Sequence, residues 1–398
     1  MNILFDCTST QPEEGITING GGEFSSIILK ELLKYKNDDI SLVFSRQKGK
    51  NCLAQTLADE NKIMCFWYND LDELSNIINS KFDKVVFPVC YPVYNKLKIN
   101  NGIDVLGFVL DMSCFYEQYI FTAPGEFYKN DGLNFLRFLK KKVLRKYKMN
   151  IYLLWHKKLF NLNDNTSIYT CSYYSKSALE HFCYPNIVSG VYYCPTNNET
   201  LLFEDYEEKE VLNKYELISK SYFLLSSGSR WFKNNYMAIR SLDELMNDER
   251  ILNKKEDFKV CVLGCTTNIK RFYIKHVKHK DRFVFCDFLD IKELNILYKN
   301  AHCFIYPSLL EGFGYPPIEA MKYSTVSLCS TSTSITEICG NGVIYFDPRI
   351  NDSIKLAIYR SFDEEYMNII RKHMENRYIE LCYKQKIDLD EIIKLILG

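Results

Sequence analysis

Residues 303–320 read CFIYPSLLEGFGYPPIEA, and this stretch decides the fold because it predicts a strand, a tight loop and a helix in succession. The apolar run CFIY at its start is typical of a buried strand. Gly312 and Gly314 permit a tight turn and a close approach of a ligand to the backbone. The two prolines after them suit the first positions of a helix. Glu311 is therefore predicted at the carboxyl end of a strand, and Glu319 about one turn into the helix.

These two glutamates flank a loop that is suited to ligand binding. Glu311 and Glu319 can hydrogen bond to separate hydroxyl-bearing parts of one ligand. The N–H groups and the positive dipole end of a helix start favour an anion such as phosphate. The alternative is an ordinary strand–loop–helix connection, since glutamate is favoured in a first helical turn in any case.

The sequence PSLLEGFGYPPIEAM resembles the Glu-x7-Glu signature of retaining, nucleotide-sugar-dependent glycosyltransferases of the GT-B class, family four. The stretch from Ser332 to Pro348 is also similar to that family, and the similarity is strong from roughly Tyr222 onward. The resemblance implies an α/β fold of the GT-B type, in which two Rossmann-like domains face each other across a cleft.

The resemblance also assigns roles to the residues of this stretch. Glu319 would bind the ribose hydroxyls of the nucleotide, and Glu311 would contact hydroxyls of the donor sugar. Beside Gly312, the N–H groups of Phe313 and Gly314 would help to position sugar or phosphate.

Two cations, Arg230 and Lys233, follow the predicted strand YFLL at residues 222–225. Arginine offers a planar fork of donors and lysine a mobile point charge, so the pair can hold a diphosphate. Arg-x-x-Lys is also common on solvated surfaces, and that remains the alternative on local grounds. In the resembled family an arginine and a lysine after this strand neutralise the donor phosphates, which implies that Arg230 and Lys233 stabilise the leaving group without a metal.

A glycine-rich stretch near the amino terminus has the format of a phosphate-approach loop. The sequence NGGG at residues 19–22 follows a first predicted strand and precedes a predicted helix near Glu23–Leu33. The Gly-x-Gly-x-x-Gly spacing is absent, so a flexible connection is the alternative. The resemblance implies that Gly20, Gly21 and Gly22 face the donor diphosphate and the acceptor.

Asp111 follows a predicted strand over residues 105–110, at the sheet edge where ligands of open α/β sheets bind. Many relatives of the resembled family carry His-Asp at such a strand end, and Leu110 stands here in the histidine position. The resemblance assigns Asp111 to donor binding, and a turn or helix-capping aspartate is the alternative.

The alternation of predicted strands and helices indicates parallel sheets, and a length of 398 residues favours two domains. We expect an amino-terminal, acceptor-side Rossmann-like domain over residues 1–195 and a linker over 196–220. A carboxy-terminal nucleotide-sugar-binding domain would cover 221–370. The helical segment 371–398 would pack back on the first domain.

Composition excludes several other classes of protein. The net charge is zero, so no global field attracts nucleic acid. The 15 cysteines include no Cys-x2-Cys pair, and with no secretory signal they indicate a reducing cytoplasm. No run approaches the roughly 20 apolar residues of a membrane-spanning helix. The Asp-x-Asp pairs at Asp70 and Asp388 border predicted helices, so we interpret them as helix-start carboxylates and predict no metal site and no cofactor beyond the nucleotide-sugar co-substrate.

Residues 133–160 carry nine Lys/Arg residues and no acidic residue. A basic amphipathic helix of this kind can lie on an anionic bilayer. A solvated helix packed on the first sheet is the alternative. The predicted location is therefore the cytoplasm, with peripheral contact at the inner face of the membrane as an open question.

The predicted function is a retaining, metal-independent glycosyltransferase of the hexosyltransferase type. It would move a sugar from a nucleotide-sugar donor to a saccharide or lipid-linked saccharide acceptor in bacterial-type surface glycan synthesis. A GT-B-shaped nucleotide-sugar epimerase and a non-catalytic nucleotide-sugar-binding subunit are the alternatives. The sugar, the base, the linkage and the acceptor stay open, because a fold does not determine them.

Overall fold

The computed structural model describes most of the chain, with the backbone alone at 145–150 and 152: residues 1–12, 20–35, 39–49, 52–111, 136, 139, 145–197, 200–248 and 258–398. These residues divide into two compact units. The described parts of residues 1–115, 146–197 and 382–398 form the first unit, and residues 200–381 make up most of the second.

The first unit is built on a parallel sheet of seven strands in the order β3-β2-β1-β4-β5-β6-β7. The third strand in this order, β1, pairs in register on both sides, with Phe5 opposite Leu42 on one neighbour and Val86 on the other. Such strands are near-continuous apolar runs because helices cover both faces of a parallel sheet. The strands are β1 (Ile3–Asp6), β2 (Ile40–Ser45), β3 (Met64–Tyr68), β4 (Lys84–Phe87), β5 (Asp104–Val109), β6 (Thr166–Thr170) and β7 (Val188–Val191).

The helices of the first unit bury one apolar face each. In the first of them Phe24, Ile28 and Leu32 recur every four residues and are fully buried. Asp70 accepts hydrogen bonds from two backbone N–H groups of the third, which confirms the predicted helix-start carboxylate. The helices are α1 (Gly20–Leu32), α2 (Leu53–Asn61), α3 (Leu71–Lys81), α4 (Arg145–Leu159) and α5 (Tyr173–Phe182).

The second unit has a parallel sheet of six strands in the order β10-β9-β8-β11-β12-β13. Its strands are β8 (Tyr222–Leu225), β9 (Lys259–Val262), β10 (Phe283–Phe285), β11 (Cys303–Tyr306), β12 (Ser327–Ser330) and β13 (Ile344–Phe346). Its helices are α6 (Asp205–Lys214), α7 (Asn235–Leu245), α8 (Thr267–His276), α9 (Ile291–Asn300), α10 (Tyr315–Lys322), α11 (Ile335–Cys339), α12 (Asn351–Arg360) and the first part of α13 (Glu364–Leu397). Short 3₁₀ helices cover Thr8–Thr10, Leu33–Tyr35, Pro92–Lys96, Trp231–Lys233 and Lys280–Arg282.

Helix α6 lies within the stretch expected as a linker, residues 196–220. It packs along α9 through three ion pairs, which join Lys292 to Glu207, Lys299 to Glu208 and Lys214 to Glu293. The polar residues of this stretch therefore form the charged surface of a helix as well as a connecting segment.

The last part of α13, from Cys382 onward, belongs to the first unit. The buried Lys84 donates to the main-chain oxygens of Leu395 and Ile396, both over 3.1 Å. Asp388 accepts from the backbone N–H of Tyr193 over 2.8 Å. The prediction of Asp388 as a helix-start carboxylate is thus wrong, because this residue lies inside a long helix and is only 2% exposed.

One stretch of the described first unit is helical where the sequence predicted a loop. Gly20, Gly21 and Gly22 are the first residues of α1, where a loop was expected before a helix near Glu23. The Gly21 carbonyl accepts a hydrogen bond from the Ser25 hydroxyl over 2.9 Å, one turn further along. Among the described helices none is long and apolar enough to cross a bilayer.

Candidate functional site

The candidate site lies at the carboxyl ends of β8 and β11 in the second unit. These strands are parallel neighbours, with Leu225 opposite Ile305, so the loops after them meet at one edge of the sheet. The backbone N–H of Leu309 donates to the Phe232 oxygen over 2.9 Å and ties the two loops together. Residues predicted from separate motifs are brought together in this way.

Lys233 and Glu311 form a nearly buried ion pair. Lys233 Nζ lies 2.6 Å from Glu311 Oε1, and the two side chains are only 8% and 12% exposed. Removing two charges from water is costly unless they are paired and further hydrogen bonded. A pair kept here despite that cost fits a site that needs both charges.

Tyr306 contacts this ion pair, and the sequence analysis did not identify it as a site residue. Lys233 Nζ donates to Tyr306 Oη over 2.9 Å, and the phenol is 1% exposed. Burial, and then the charge of Glu311 and a hydrogen bond to it, raise the pKa of Tyr306 well above its ordinary value. The only signal in the sequence was its place as the last residue of the strand that precedes the glycine loop.

The loop that carries Glu311 is fixed from the strand β12 side. The Glu311 N–H donates to Thr333 Oγ1 over 2.9 Å. The Ser334 hydroxyl is shared between the carbonyl oxygens of Glu311 and Phe313, at 3.1 and 3.2 Å. The loop 330–334 was predicted only as a connection, since hydroxyl residues in a turn carry no signal of what they hold.

The start of α10 offers fewer free donors than a usual helix start. Gly314 precedes the helix with φ of 102°, a conformation that favours glycine. Pro316 and Pro317 have no N–H, so Tyr315 is the one residue among the first three of α10 that keeps this donor. An anion at this point would therefore depend on the N–H groups of residues 313–315.

Glu319, one turn into α10, is half-buried. Burial raises the pKa of Glu319, and this effect is partly offset by a hydrogen bond with Tyr298 and by the charges of Lys322 and Lys233. The influence of Lys233 connects Glu319 electrostatically to the Lys233–Glu311 pair.

Arg230 differs from Lys233 in its surroundings. It is exposed, and within the described part of the chain its guanidinium has no carboxylate partner. Its backbone oxygen accepts from the Lys233 N–H over 3.0 Å, across the 3₁₀ helix Trp231–Lys233. Arg230 thus offers a positive charge to solvent, whereas the charge of Lys233 is already balanced by Glu311.

A hollow of about 550 Å³ opens in the same unit after strands β9 and β10. The family resemblance makes Gly264, Cys286 and Phe288 candidates for contact with a nucleotide base. Cys286 and Phe288 line the hollow, and Phe288 is 58% exposed. The third candidate, Gly264, has φ of 69° and donates its N–H to the Asp287 oxygen over 3.4 Å.

The first unit holds the other predicted site residues. Gly20, Gly21 and Gly22 begin α1, and Asp111 is exposed after β5. Their contact with a donor stays a prediction. The basic segment 133–160 lies partly outside the described residues. Among all residues of the chain that the structure describes, no group of three or more His, Cys, Asp or Glu residues could hold a metal ion.

Comparison with known proteins finds relatives in sequence. Residues 208–379 match the family model described as Glycosyl transferases group 1. The chain is 26% identical over 173 residues, 43% of its length, to the O-antigen chain mannosyltransferase RfbU of Salmonella typhimurium, and covers 46% of that relative. The chain thus spans less than half the length of this curated relative.

Solved structures share the fold over the whole chain. Sucrose-phosphate synthase from Thermosynechococcus elongatus matches with a TM-score of 0.71 and 12% identity, over 99% of this chain and 98% of that one. Anabaena Alr3699/HepE, solved with UDP and glucose, matches with a TM-score of 0.67 and 11% identity, over 100% and 99%. The two parallel-sheet units therefore have the GT-B fold predicted from the sequence, and residues 208–379 of the second unit are similar to the glycosyl transferases group 1 family.

Proposed function

We propose that the protein is a retaining, metal-independent glycosyltransferase that takes a sugar from a nucleotide-sugar and joins it to a saccharide or lipid-linked saccharide. The observation that carries the proposal is the Lys233–Glu311 pair at the carboxyl ends of β8 and β11, with Glu319 one helical turn beyond. Cations and carboxylates at one sheet edge suit a ligand that joins a diphosphate to hydroxyl-rich sugars.

In this proposal the second unit binds the donor. Glu319 accepts hydrogen bonds from the ribose hydroxyls, and Glu311 accepts them from the sugar. Arg230 and Lys233 contact the diphosphate, whose negative charge grows as the anomeric carbon–oxygen bond breaks. Charges held in place before the reaction stabilise such a developing charge without reorganisation.

The transfer itself needs no nucleophile from the protein. The acceptor hydroxyl attacks the anomeric carbon on the face from which the diphosphate leaves, and a phosphate oxygen of the leaving group takes the hydroxyl proton. One carbon–oxygen bond forms as the other breaks, and the anomeric configuration is kept. The carboxylate pair of hydrolases, which protonates a poor leaving group, is unnecessary because a nucleoside diphosphate leaves readily.

The relatives suggest a sharper form of the proposal. RfbU is named as an O-antigen chain mannosyltransferase, which supports mannose as the transferred sugar and a surface glycan as the product. A growing glycan on a lipid carrier would bring the enzyme to the inner face of the membrane. The nine basic residues of 133–160 support contact with an anionic lipid surface there.

A donor screen tests the proposal. UDP-, GDP- and ADP-sugars are added singly and the thermal unfolding midpoint is measured, because a ligand that binds only the native state raises it. Transfer is then measured with the selected donor, with saccharide and lipid-linked acceptors, in the presence and absence of EDTA. Conversion of the donor without an acceptor would identify an epimerase, and binding without turnover a binding subunit.

A further inference from the structure

The Lys233 ammonium joins a buried phenol to the carboxylate of the candidate site. Lys233 Nζ donates to Tyr306 Oη over 2.9 Å and to Glu311 Oε1 over 2.6 Å. An ammonium has donors only, so both oxygens accept hydrogen bonds from it. The Tyr306 hydroxyl is thus a second acceptor for Lys233 beside the carboxylate.

Tyr306 is the most firmly held of the three. It ends β11, is 1% exposed, and its ring stacks on Phe304 with centroids 5.8 Å apart. Its ring also lies under the Lys233 ammonium, 5.0 Å from centroid to nitrogen. Lys233 and Glu311 are flexible side chains in the segments after the strands. Tyr306 belongs to a strand, so its hydroxyl can hold a fixed position beside them.

Donor binding requires a change of partners among these three groups, an argument that rests on the proposed function. Lys233 can stabilise a departing diphosphate only if its charge is not balanced by Glu311. Glu311, in turn, can bind sugar hydroxyls only with oxygen atoms freed from Lys233. Tyr306 binds no sugar or phosphate in this scheme and remains in contact with Lys233 throughout.

We propose that Tyr306 is a positioning residue, whose hydroxyl keeps Lys233 directed at the leaving diphosphate while Glu311 exchanges Lys233 for the donor sugar. The hydroxyl supplies an acceptor that is buried and fixed to the sheet. Without this acceptor, the Lys233 side chain would adopt several conformations once Glu311 no longer contacts it.

Tyr306→Phe removes this one oxygen and tests the inference. We expect kcat for transfer to fall about tenfold, because a misplaced cation stabilises the transition state less. The donor KM should change less than about threefold, since ground-state binding keeps Arg230 and Glu319. Tyr222→Phe is the matched control: this phenol in β8 is fully buried and donates only to the Leu297 oxygen, over 2.6 Å. Unchanged kcat in Tyr306→Phe would overturn the inference.

A double-mutant cycle separates positioning from a general loss of structure. Lys233→Met is made alone and together with Tyr306→Phe. If Tyr306 acts through Lys233, the double variant is about as slow as Lys233→Met alone. Losses that multiply would show that Tyr306 acts independently of Lys233, and would overturn the inference.

A spectroscopic measurement applies even if Tyr306→Phe does not fold. 3-Fluorotyrosine is placed at position 306, and its fluorine resonance is followed as the nucleotide-sugar selected in the donor screen is added. We expect the resonance to shift at position 306 and to stay in place for the same label at position 222. If the resonance does not shift at saturation, the inference is overturned and the proposed function is not. If the wild-type protein binds no nucleotide-sugar, the proposed function is overturned and this inference with it.

Discussion

Lys233 and Glu311, 78 residues apart in the chain, lie 2.6 Å apart with both side chains almost removed from water. The loop after β8 supplies the cation and the loop after β11 supplies the carboxylate. Each motif is ambiguous by itself, since Arg-x-x-Lys is a common surface pattern and glutamate is common at helix starts. The contact between Lys233 and Glu311 is the observation that identifies the two loops as parts of one candidate site.

This pair predicts a non-additive effect on stability. Lys233→Met leaves the Glu311 carboxylate without its ion partner and should lower the free energy of unfolding by about 2–4 kcal/mol. Glu311→Gln in the same chain removes that charge and should restore part of the loss. Urea unfolding of the single and double variants measures both values. A double variant as unstable as the sum of the singles would show that the two side chains do not interact.

Arg230→Ala should depress turnover without an effect on stability. The guanidinium is exposed, so its loss should change the free energy of unfolding by less than about 0.5 kcal/mol. If it contacts the leaving diphosphate, kcat/KM for transfer should fall by about 10²-fold or more. Arg240→Ala, which removes an exposed arginine of α7 paired with Glu244, is the control and should keep full activity. Wild-type turnover in Arg230→Ala would overturn its assignment to the donor.

Glu319 should give stability a characteristic dependence on pH. Burial raises its pKa above the ordinary value of 4.5, so the folded state binds this proton more tightly than the unfolded state. The stability that it contributes is present below pH 4.5 and is lost as the pH rises through the raised value. Relative to wild type, Glu319→Gln should therefore become more stable as the pH rises across this window, as measured by urea unfolding from pH 4 to 8.

Glu244 provides a control of opposite sign. Its hydrogen bond to Lys355 lowers its pKa, so its contribution is present above pH 4.5 and is lost as the pH falls through the lowered value. Glu244→Gln should accordingly lose stability relative to wild type above pH 4.5. A Glu319→Gln difference that is flat, or that falls with pH, would contradict the burial of this carboxylate.

Glu319→Ala tests the functional assignment separately from pH. Loss of a charged acceptor for two ribose hydroxyls should weaken donor binding by about 10- to 100-fold. Isothermal titration with the selected nucleotide-sugar measures the dissociation constant. Glu365→Ala, at the start of α13, removes a glutamate that no role is assigned to and should leave binding unchanged.

Sequence patterns predicted the strands well because parallel sheets covered on both faces require continuous apolar runs. The runs at residues 222–225, 303–306 and 326–329 all became strands of the second sheet. Residues near their carboxyl ends, including Lys233 and Glu311, were therefore assigned to one edge correctly. Parallel pairing alone makes this prediction, without knowledge of any side-chain contact.

Contacts that depend on three dimensions could not be predicted in the same way. Only its place at the end of the strand before the glycine loop distinguishes Tyr306 from the other tyrosines, and its contacts depend on two loops that are distant in the sequence. Thr333 and Ser334 hold the Glu311 loop from a third strand end, and turn residues of this type are common. Gly20 to Gly22 were expected in a loop, but they form the first turn of α1, which the apolar residues that follow anchor in the core.

The end of the chain gives a last prediction, which concerns stability alone. Lys84, the first residue of β4, is 5% exposed and donates to the carbonyl oxygens of Leu395 and Ile396 at the end of α13. A cation is favoured at a helix carboxyl end, where carbonyl groups lack partners within the helix. Lys84→Met keeps the length of the side chain but leaves these oxygens unsatisfied, so the free energy of unfolding should fall by about 1–3 kcal/mol.

The matched control for this change is Lys81→Met, since Lys81 is exposed at the end of α3, three residues earlier. It should cost less than about 0.5 kcal/mol. Hydrogen exchange adds a local measurement: the amides of the last turns of α13 should lose protection in Lys84→Met before those of β8 and β11 do, because only the helix end loses its cap. Equal loss of protection in both places would show that Lys84 supports the whole chain and not this helix end.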